Sequence, residues 1–225
     1  MNINNNNKNK KIYIDRLFPN VNDMGLGYKL KINEESIMYI TIPDDAEQIT
    51  KIIINHTLKY FTDCQQICIT DTTAGVGGNT ISFAQNFKSV NAIEINQERF
   101  NYLSNNVNAY QITNVDLYHG DCLEIVSELS NNDVIFIDPP WGGKNYKDQE
   151  KIRLVLGEQE IEDVCLKFLD KEKMKSVPKL LVLKLPKNYD IEYIYNKLKS
   201  TNDGLERKIY FYLLSKMAII AIELN

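Results

Sequence analysis

Ile67-Cys68-Ile69-Thr70-Asp71-Thr72-Thr73-Ala74-Gly75-Val76-Gly77-Gly78 is where this chain changes character. Residues 67–71 form an apolar run of strand length that ends in an acid. Gly75, Gly77 and Gly78 follow in a turn that leads into a helical pattern over 79–87. Glycines at such a junction allow tight turning and close approach of backbone to a ligand. No Gly-Lys-Ser/Thr follows, which argues against a nucleoside triphosphatase. The full Gly-x-Gly-x-x-Gly spacing of a dinucleotide fingerprint is also missing, so NAD fits poorly.

Outward from this stretch, apolar runs recur at 90–94, 115–119, 133–137, 179–185, 207–213 and 216–223. Between them lie helical patterns at 97–109, 122–129, 158–169 and 190–199. Such alternation implies a mainly parallel sheet with helices on both faces. The last two strands, Lys208–Leu214 and Met217–Leu224, are separated only by a tight turn and must be antiparallel. The expectation is an α/β fold of class I S-adenosylmethionine-dependent methyltransferase type: a Rossmann-like seven-stranded sheet with an antiparallel C-terminal hairpin. A small N-terminal extension precedes it. In the extension, Lys29–Ile32 and Ile37–Ile42 read as short strands, with Gly25 and Gly27 as turn signals. Pro43-Asp44-Asp45 reads as a helix start, followed by Ile49, Ile52 and Ile53 at helical spacing up to about Phe61. The expected division is a disordered Asn-rich tail at 1–10, an extension and helix contributing to the site at 11–62, and a methyltransferase domain at 63–225.

Composition narrows the partners. The chain has 225 residues, 44% hydrophobic and 25% charged, which suits one globular core. No run approaches the roughly 20 apolar residues of a membrane span, and the N-terminus lacks an apolar signal core. Four scattered cysteines and two histidines make a poor metal set and a poor disulfide framework. An intracellular, reducing compartment is expected, cytoplasm and nucleus being left open. So is a monomer without metal or membrane partner. A net charge of −4 argues against gripping long duplex DNA, whose phosphates call for a basic face. Lysines gather at Lys144, Lys147 and Lys151 with Arg153, and again from Lys167 to Lys187. These read as a small positive mouth or as solvated faces. The abundance of Asn, Ile, Lys and Tyr points to an AT-rich coding genome, a viral one among the candidates.

Asp71, Glu94, Asp121 and Asp138 fall at the carboxyl ends of successive strands. Ligands of open α/β sheets bind in that crevice. One acid after a strand is commonly a turn former or helix cap, but four in register are harder to dismiss. They are read as an S-adenosylmethionine site. Asp71 with Gly75 and Gly77 lies near the methionine part, Glu94 on ribose hydroxyls about 20 residues on, and Asp121 on the adenine amine.

The fourth strand runs into Asp138-Pro139-Pro140-Trp141-Gly142-Gly143. Each proline fixes its own φ and removes a donor, and Pro140 pushes Pro139 toward extended geometry. A stiff rim of one carboxylate and bare carbonyls results, with an indole beside it. Acceptors and a flat surface are what an exocyclic nucleobase amine requires.

The chain resembles the trimethylguanosine synthases, the RNA cap guanine-N2 methyltransferases. The resemblance rests on Ala74-Gly-Val-Gly-Gly-Asn-Thr80, on Asp138-Pro-Pro-Trp-Gly-Gly143 with Tyr146, and on Leu185-Pro-Lys-Asn188. Arg16-Leu17-Phe18 and Gly27-Tyr28-Lys29-Leu30, followed by Pro43, also look like the family's N-terminal extension. It implies methyl transfer from S-adenosylmethionine to N2 of an N7-methylguanosine-capped RNA or cap nucleotide. Trp141 would stack on the cationic base, and Asp138 with the Pro139 carbonyl would orient the amine. Lys29, Tyr146 and Lys187 would lie near the triphosphate. Family members commonly carry serine in place of Asp138 and arginine in place of Lys187. An acid at 138 is shared with methyltransferases acting on the amines of adenine and cytosine. An N6-adenine or N4-cytosine methyltransferase is therefore one alternative, and a non-catalytic cap-binding module is another.

Overall fold

The computed structural model describes residues 14–201 and 206–224; the tail at 1–10, expected to be disordered, lies outside them. The helices used below are α1 (Glu34–Tyr39), α2 (Pro43–Thr57), α3 (Gly78–Asn86), α4 (Gln97–Ala109), α5 (Cys122–Glu128), α6 (Ile161–Phe168) and α7 (Ile191–Ser200). The strands are β1 (Cys68–Asp71), β2 (Ser89–Glu94), β3 (Val115–His119), β4 (Val134–Ile137), β5 (Val155–Leu156), β6 (Gln159–Glu160), β7 (Leu180–Pro186), β8 (Arg207–Leu213) and β9 (Met217–Leu224). Seven strands form one sheet in the order β3-β2-β1-β4-β7-β9-β8. β1, β2, β3, β4 and β7 run parallel, and β9 lies antiparallel between β7 and β8. The expected topology and closing hairpin are those observed.

The central strands are buried along their whole length because helices cover both faces. Side chains alternate between the two faces with the strand period of two. Val134, Phe136, Leu180, Val182, Ile219 and Ala221 pack with Ile49 and Ile53 of α2, Phe83 of α3 and Leu103 of α4. Ile135, Ile137, Leu181, Leu183, Ile220 and Ile222 pack with Val126 of α5, Phe168 of α6 and Ile194 of α7.

Three expectations need correcting. The extension holds no ladder at Lys29–Ile32, and the strand expected over Ile37–Ile42 is absent, its first residues belonging to the helix Glu34–Tyr39. The Asn33 side chain accepts from the Ser36 amide, with Glu34 and Glu35 in the first turn, so local capping overrides the weak apolar alternation. The helix expected from 158 begins instead at Ile161. Before it, β5 and β6 pair across Gly157, which lies at φ +62° where L side chains are disfavoured.

The extension is fastened to the domain by named contacts. Ile14, Phe18, Val21, Leu26, Leu30 and Ile32 pack on Val76, Ile81 and Tyr110. Asn106, fully buried in α4, accepts from the Lys31 amide and donates to the carbonyls of Lys31 and Val76. Arg99 lies 3.8 Å from Glu35 of α1, and Asn33 donates to Glu98.

Candidate active site

The four acids lie where their strands end: Asp71 closes β1, Glu94 closes β2, and Asp121 and Asp138 follow β3 and β4. Between Asp71 and α3 the glycine loop is pinned on both sides. The Thr72 amide donates to the Phe136 carbonyl and the Ala74 amide to that of Ile93. Gly77 holds φ +104° as the residue before α3, a conformation suited to glycine. No side chain caps this helix.

Asp71 is fully buried. Its Oδ2 accepts from Thr80 at 2.7 Å, while Oδ1 has no partner. Burial pushes its carboxyl up to about 7, the Thr80 hydrogen bond opposing and the nearby Asp138 charge adding to the rise. An orphaned buried carboxylate oxygen beside a glycine turn fits a cationic amine of a ligand. Glu94 accepts from Gly75 N at 2.9 Å, Asn96 N at 2.8 Å and Arg99 Nε at 3.1 Å. It thus ties the glycine loop to β2 and keeps a lone-pair site for ribose hydroxyls. Asp121 caps α5 by accepting from the Leu123 amide at 2.8 Å. The unpartnered Asp71 oxygen and the remaining acceptor capacity of Glu94 are the features that would suit S-adenosylmethionine, whereas the Asp121 carboxylate acts as a helix cap.

The acceptor loop begins at Asp138, whose amide donates to Thr73 Oγ1 at 3.0 Å. That bond joins the acceptor loop directly to the glycine loop. The Asp138 carboxylate meets Lys184 Nζ at 2.6 Å, with the two side chains 15% and 6% exposed. Burial raises the Asp138 carboxyl, and Lys184 holds it back. The Trp141 indole is partly buried, and Nε1 completes no hydrogen bond of its own. Trp141 packs edge-on to Tyr146, ring centroids 5.3 Å apart, and Lys184 Nζ stands 5.1 Å from its ring. Pro139, which lies between Asp138 and Trp141 in sequence, is buried. The Tyr146 carbonyl accepts from Asn188 Nδ2 at 2.7 Å, so the loop is also held by the turn after β7.

The structure thus brings Asp71, Asp138, Trp141 and Tyr146 into one neighbourhood. Lys29 and Lys187 are exposed, Lys29 standing 5.7 Å from the Tyr28 ring. Several members of the two lysine clusters are already paired. Lys151 lies 3.6 Å from Asp190 and Glu192, Arg153 3.2 Å from Glu160, and Lys173 3.2 Å from Asp170. Lys167 donates to the Leu123 carbonyl. Lys184, grouped with them in the sequence, is buried at 5% exposure. The signal for it was a charge inside the apolar run Leu180-Leu-Val-Leu-Lys-Leu185. Thr41 also escaped sequence reading. Buried between α1 and α2, its hydroxyl accepts from Lys184 Nζ at 2.9 Å and Asn79 Nδ2 at 3.0 Å.

Residues 66–221 match the family described as RNA cap guanine-N2 methyltransferase. The chain belongs to that family. Within its reach, a trimethylguanosine synthase of Schizosaccharomyces pombe is 30% identical over 166 residues, 67% of each chain. Uncharacterized protein L320 of Acanthamoeba polyphaga mimivirus is 37% identical over 227 residues, covering 92% of this chain and 84% of its own. Among solved structures, an rRNA methylase from Streptococcus thermophilus aligns with a TM-score of 0.51 at 14% identity, covering 82% of this chain and 98% of that one. At that identity the likeness speaks for the fold, a class I methyltransferase sheet. Among the described residues no helix is long and apolar enough to cross a membrane, and no His, Cys, Asp and Glu cluster could hold a metal.

Proposed function

We propose that this protein transfers a methyl group from S-adenosylmethionine to the exocyclic N2 of an N7-methylguanosine RNA 5′ cap. The observation that carries the reading is the bond from the Asp138 amide to Thr73 Oγ1, which sets an amine-accepting carboxylate and an indole against the glycine loop. When bound, S-adenosylmethionine supplies an electrophilic methyl group. The chain's own residues orient the amine that receives it. N2 is a weak nucleophile because its lone pair is delocalised into the purine. The Asp138 carboxylate and the Pro139 carbonyl accept its N–H groups, turning the lone pair out of conjugation and fixing its direction. Trp141 offers a face to the base. N7-methylation leaves that base positively charged, and stacking on an indole gains roughly 0.5–2 kcal/mol. Lys29, Lys187 and the Tyr146 hydroxyl are the groups assigned to the triphosphate, the lysines as point charges.

A carboxylate at 138 also suits the amines of adenine and cytosine, so the assay needs both substrate types. Methyl transfer from labelled S-adenosylmethionine is measured to N7-methyl-GTP, GTP and uncapped oligonucleotides. Incorporation into N7-methyl-GTP alone is expected. Incorporation into oligonucleotides alone would replace the cap reading with base methylation. A protein that binds N7-methyl-GTP but labels nothing would be a cap-binding module.

A further inference from the structure

Lys184 projects from the middle of β7, where Leu180, Val182 and Lys184 share one face of the strand and Ile219 is its neighbour across the ladder. A lysine is rarely buried unless paired, and this one is paired twice. Its ammonium donates to Asp138 Oδ2 at 2.6 Å and to Thr41 Oγ1 at 2.9 Å. Three segments far apart in the chain therefore meet on one ammonium: the N-terminal extension, the acceptor loop and a central strand. Two ionisable side chains bear on Asp138. Lys184 attracts its charge from β7, and Asp71 repels it from the end of β1.

We propose that Lys184 is a positioning residue for the amine-accepting group. It fixes the direction of the Asp138 carboxylate, keeps it ionised inside the fold and anchors it to Thr41. This rests on the cap reading only for the identity of the amine. An ionised carboxylate accepts two N–H bonds, whereas a protonated one turns a donor toward the amine. Without Lys184, burial acts on Asp138 unopposed and the acceptor form appears only at higher pH. The side chain of Lys184 also stands over the Trp141 ring while its charge is matched by Asp138, so the pair presents no net positive charge to a cationic base.

Trp141 is the chain's single tryptophan, so its emission reports on the neighbouring carboxylate. Emission of the full chain is followed against pH in the native protein and in Lys184→Met, Lys184→Arg and Asp138→Asn. The scored step is the one that Asp138→Asn removes. Lys184→Met should move that step upward by roughly 1–3 pH units, and Lys184→Arg should restore it toward the native midpoint. Lys184→Gln keeps a donor without the charge; it carries the same expectation and stands in if the methionine variant does not fold. The acid limb of kcat on N7-methyl-GTP should shift with the emission step, with KM changing less. A Lys184→Met or Lys184→Gln protein with the step at the native midpoint, or with no Asp138-dependent step, overturns the proposal. If native protein methylates no N7-methyl-GTP, the cap reading fails and the emission step still decides the role of Lys184.

Discussion

Asp71 carries the sharpest electrostatic consequence of any single residue here. Its carboxyl is raised from 3.8 to about 7, chiefly by burial. Between about pH 4 and pH 7 the folded chain holds a proton that the unfolded chain has lost. Stability therefore falls as pH rises through that window, and above pH 7 the full cost remains, about 4 kcal/mol at most. Asp71→Asn should raise the melting temperature at pH 8 and leave it nearly unchanged at pH 4, while weakening S-adenosylmethionine binding measured by calorimetry. Equal stabilisation at both pH values would show that the carboxyl titrates normally. The positions of such acids are readable in sequence because a strand end is a local pattern: an apolar run, then a charge. The partners of Lys184 are not local. Thr41 is 143 positions away in the chain and Asp138 is 46, so only the closed fold shows why a lysine interrupts β7.

At the scale of elements, the segment between α1 and α2 is pressed onto the start of α3. A Cβ added at Gly78 would lie 2.7 Å from the Thr41 carbonyl oxygen and 2.8 Å from Ile40 Cγ1. Backbone stands on the near side of that clash, and flexible side chains cannot relieve it. Gly78→Ala should cost about 1–3 kcal/mol and loosen the Thr41 anchor. Gly142→Ala meets nothing within 4 Å and bears only its positive φ of +84°, worth roughly 1–2 kcal/mol. The two should differ in hydrogen exchange more than in melting temperature. In Gly78→Ala, amides of residues 30–42 should exchange faster, whereas in Gly142→Ala they should not; equal protection in both would mean that the extension does not depend on this contact. The glycine loop, α3 and the seven strands were legible because each follows its own period. The extension was not. Its short apolar pieces satisfy strand and helix patterns alike, and the Asn33 cap together with contacts to α4 decides between them.

Across the whole molecule, α2 is fastened to the sheet at both ends, and the two fastenings serve different purposes. At the carboxyl edge of the parallel strands, the turn before α2 reaches Lys184 and the site. At the opposite edge, near the end of β9, Glu223 accepts from His56 of α2, from Lys59 and from Tyr210, while His56 also bonds Tyr212. Burial works against the Glu223 charge, but the bonds from His56 and Lys59 outweigh it and hold its carboxyl below the usual value. A depressed carboxyl contributes stability that is present above its unfolded pKa, near 4.3, and is lost as pH falls through the folded value. Glu223→Gln should therefore destabilise the fold by roughly 1.5–3 kcal/mol at pH 7, the worth of hydrogen bonds to a charged group. In denaturant titrations the gap from the native protein should narrow progressively below pH 4. Methyl transfer well below the melting temperature should stay close to native, because Glu223 pairs in register with Leu180, at the end of β7 remote from Pro186 and the acceptor loop. A large loss of kcat without loss of stability would mean that α2 transmits strain along its length, and that its two ends act as one device instead of two.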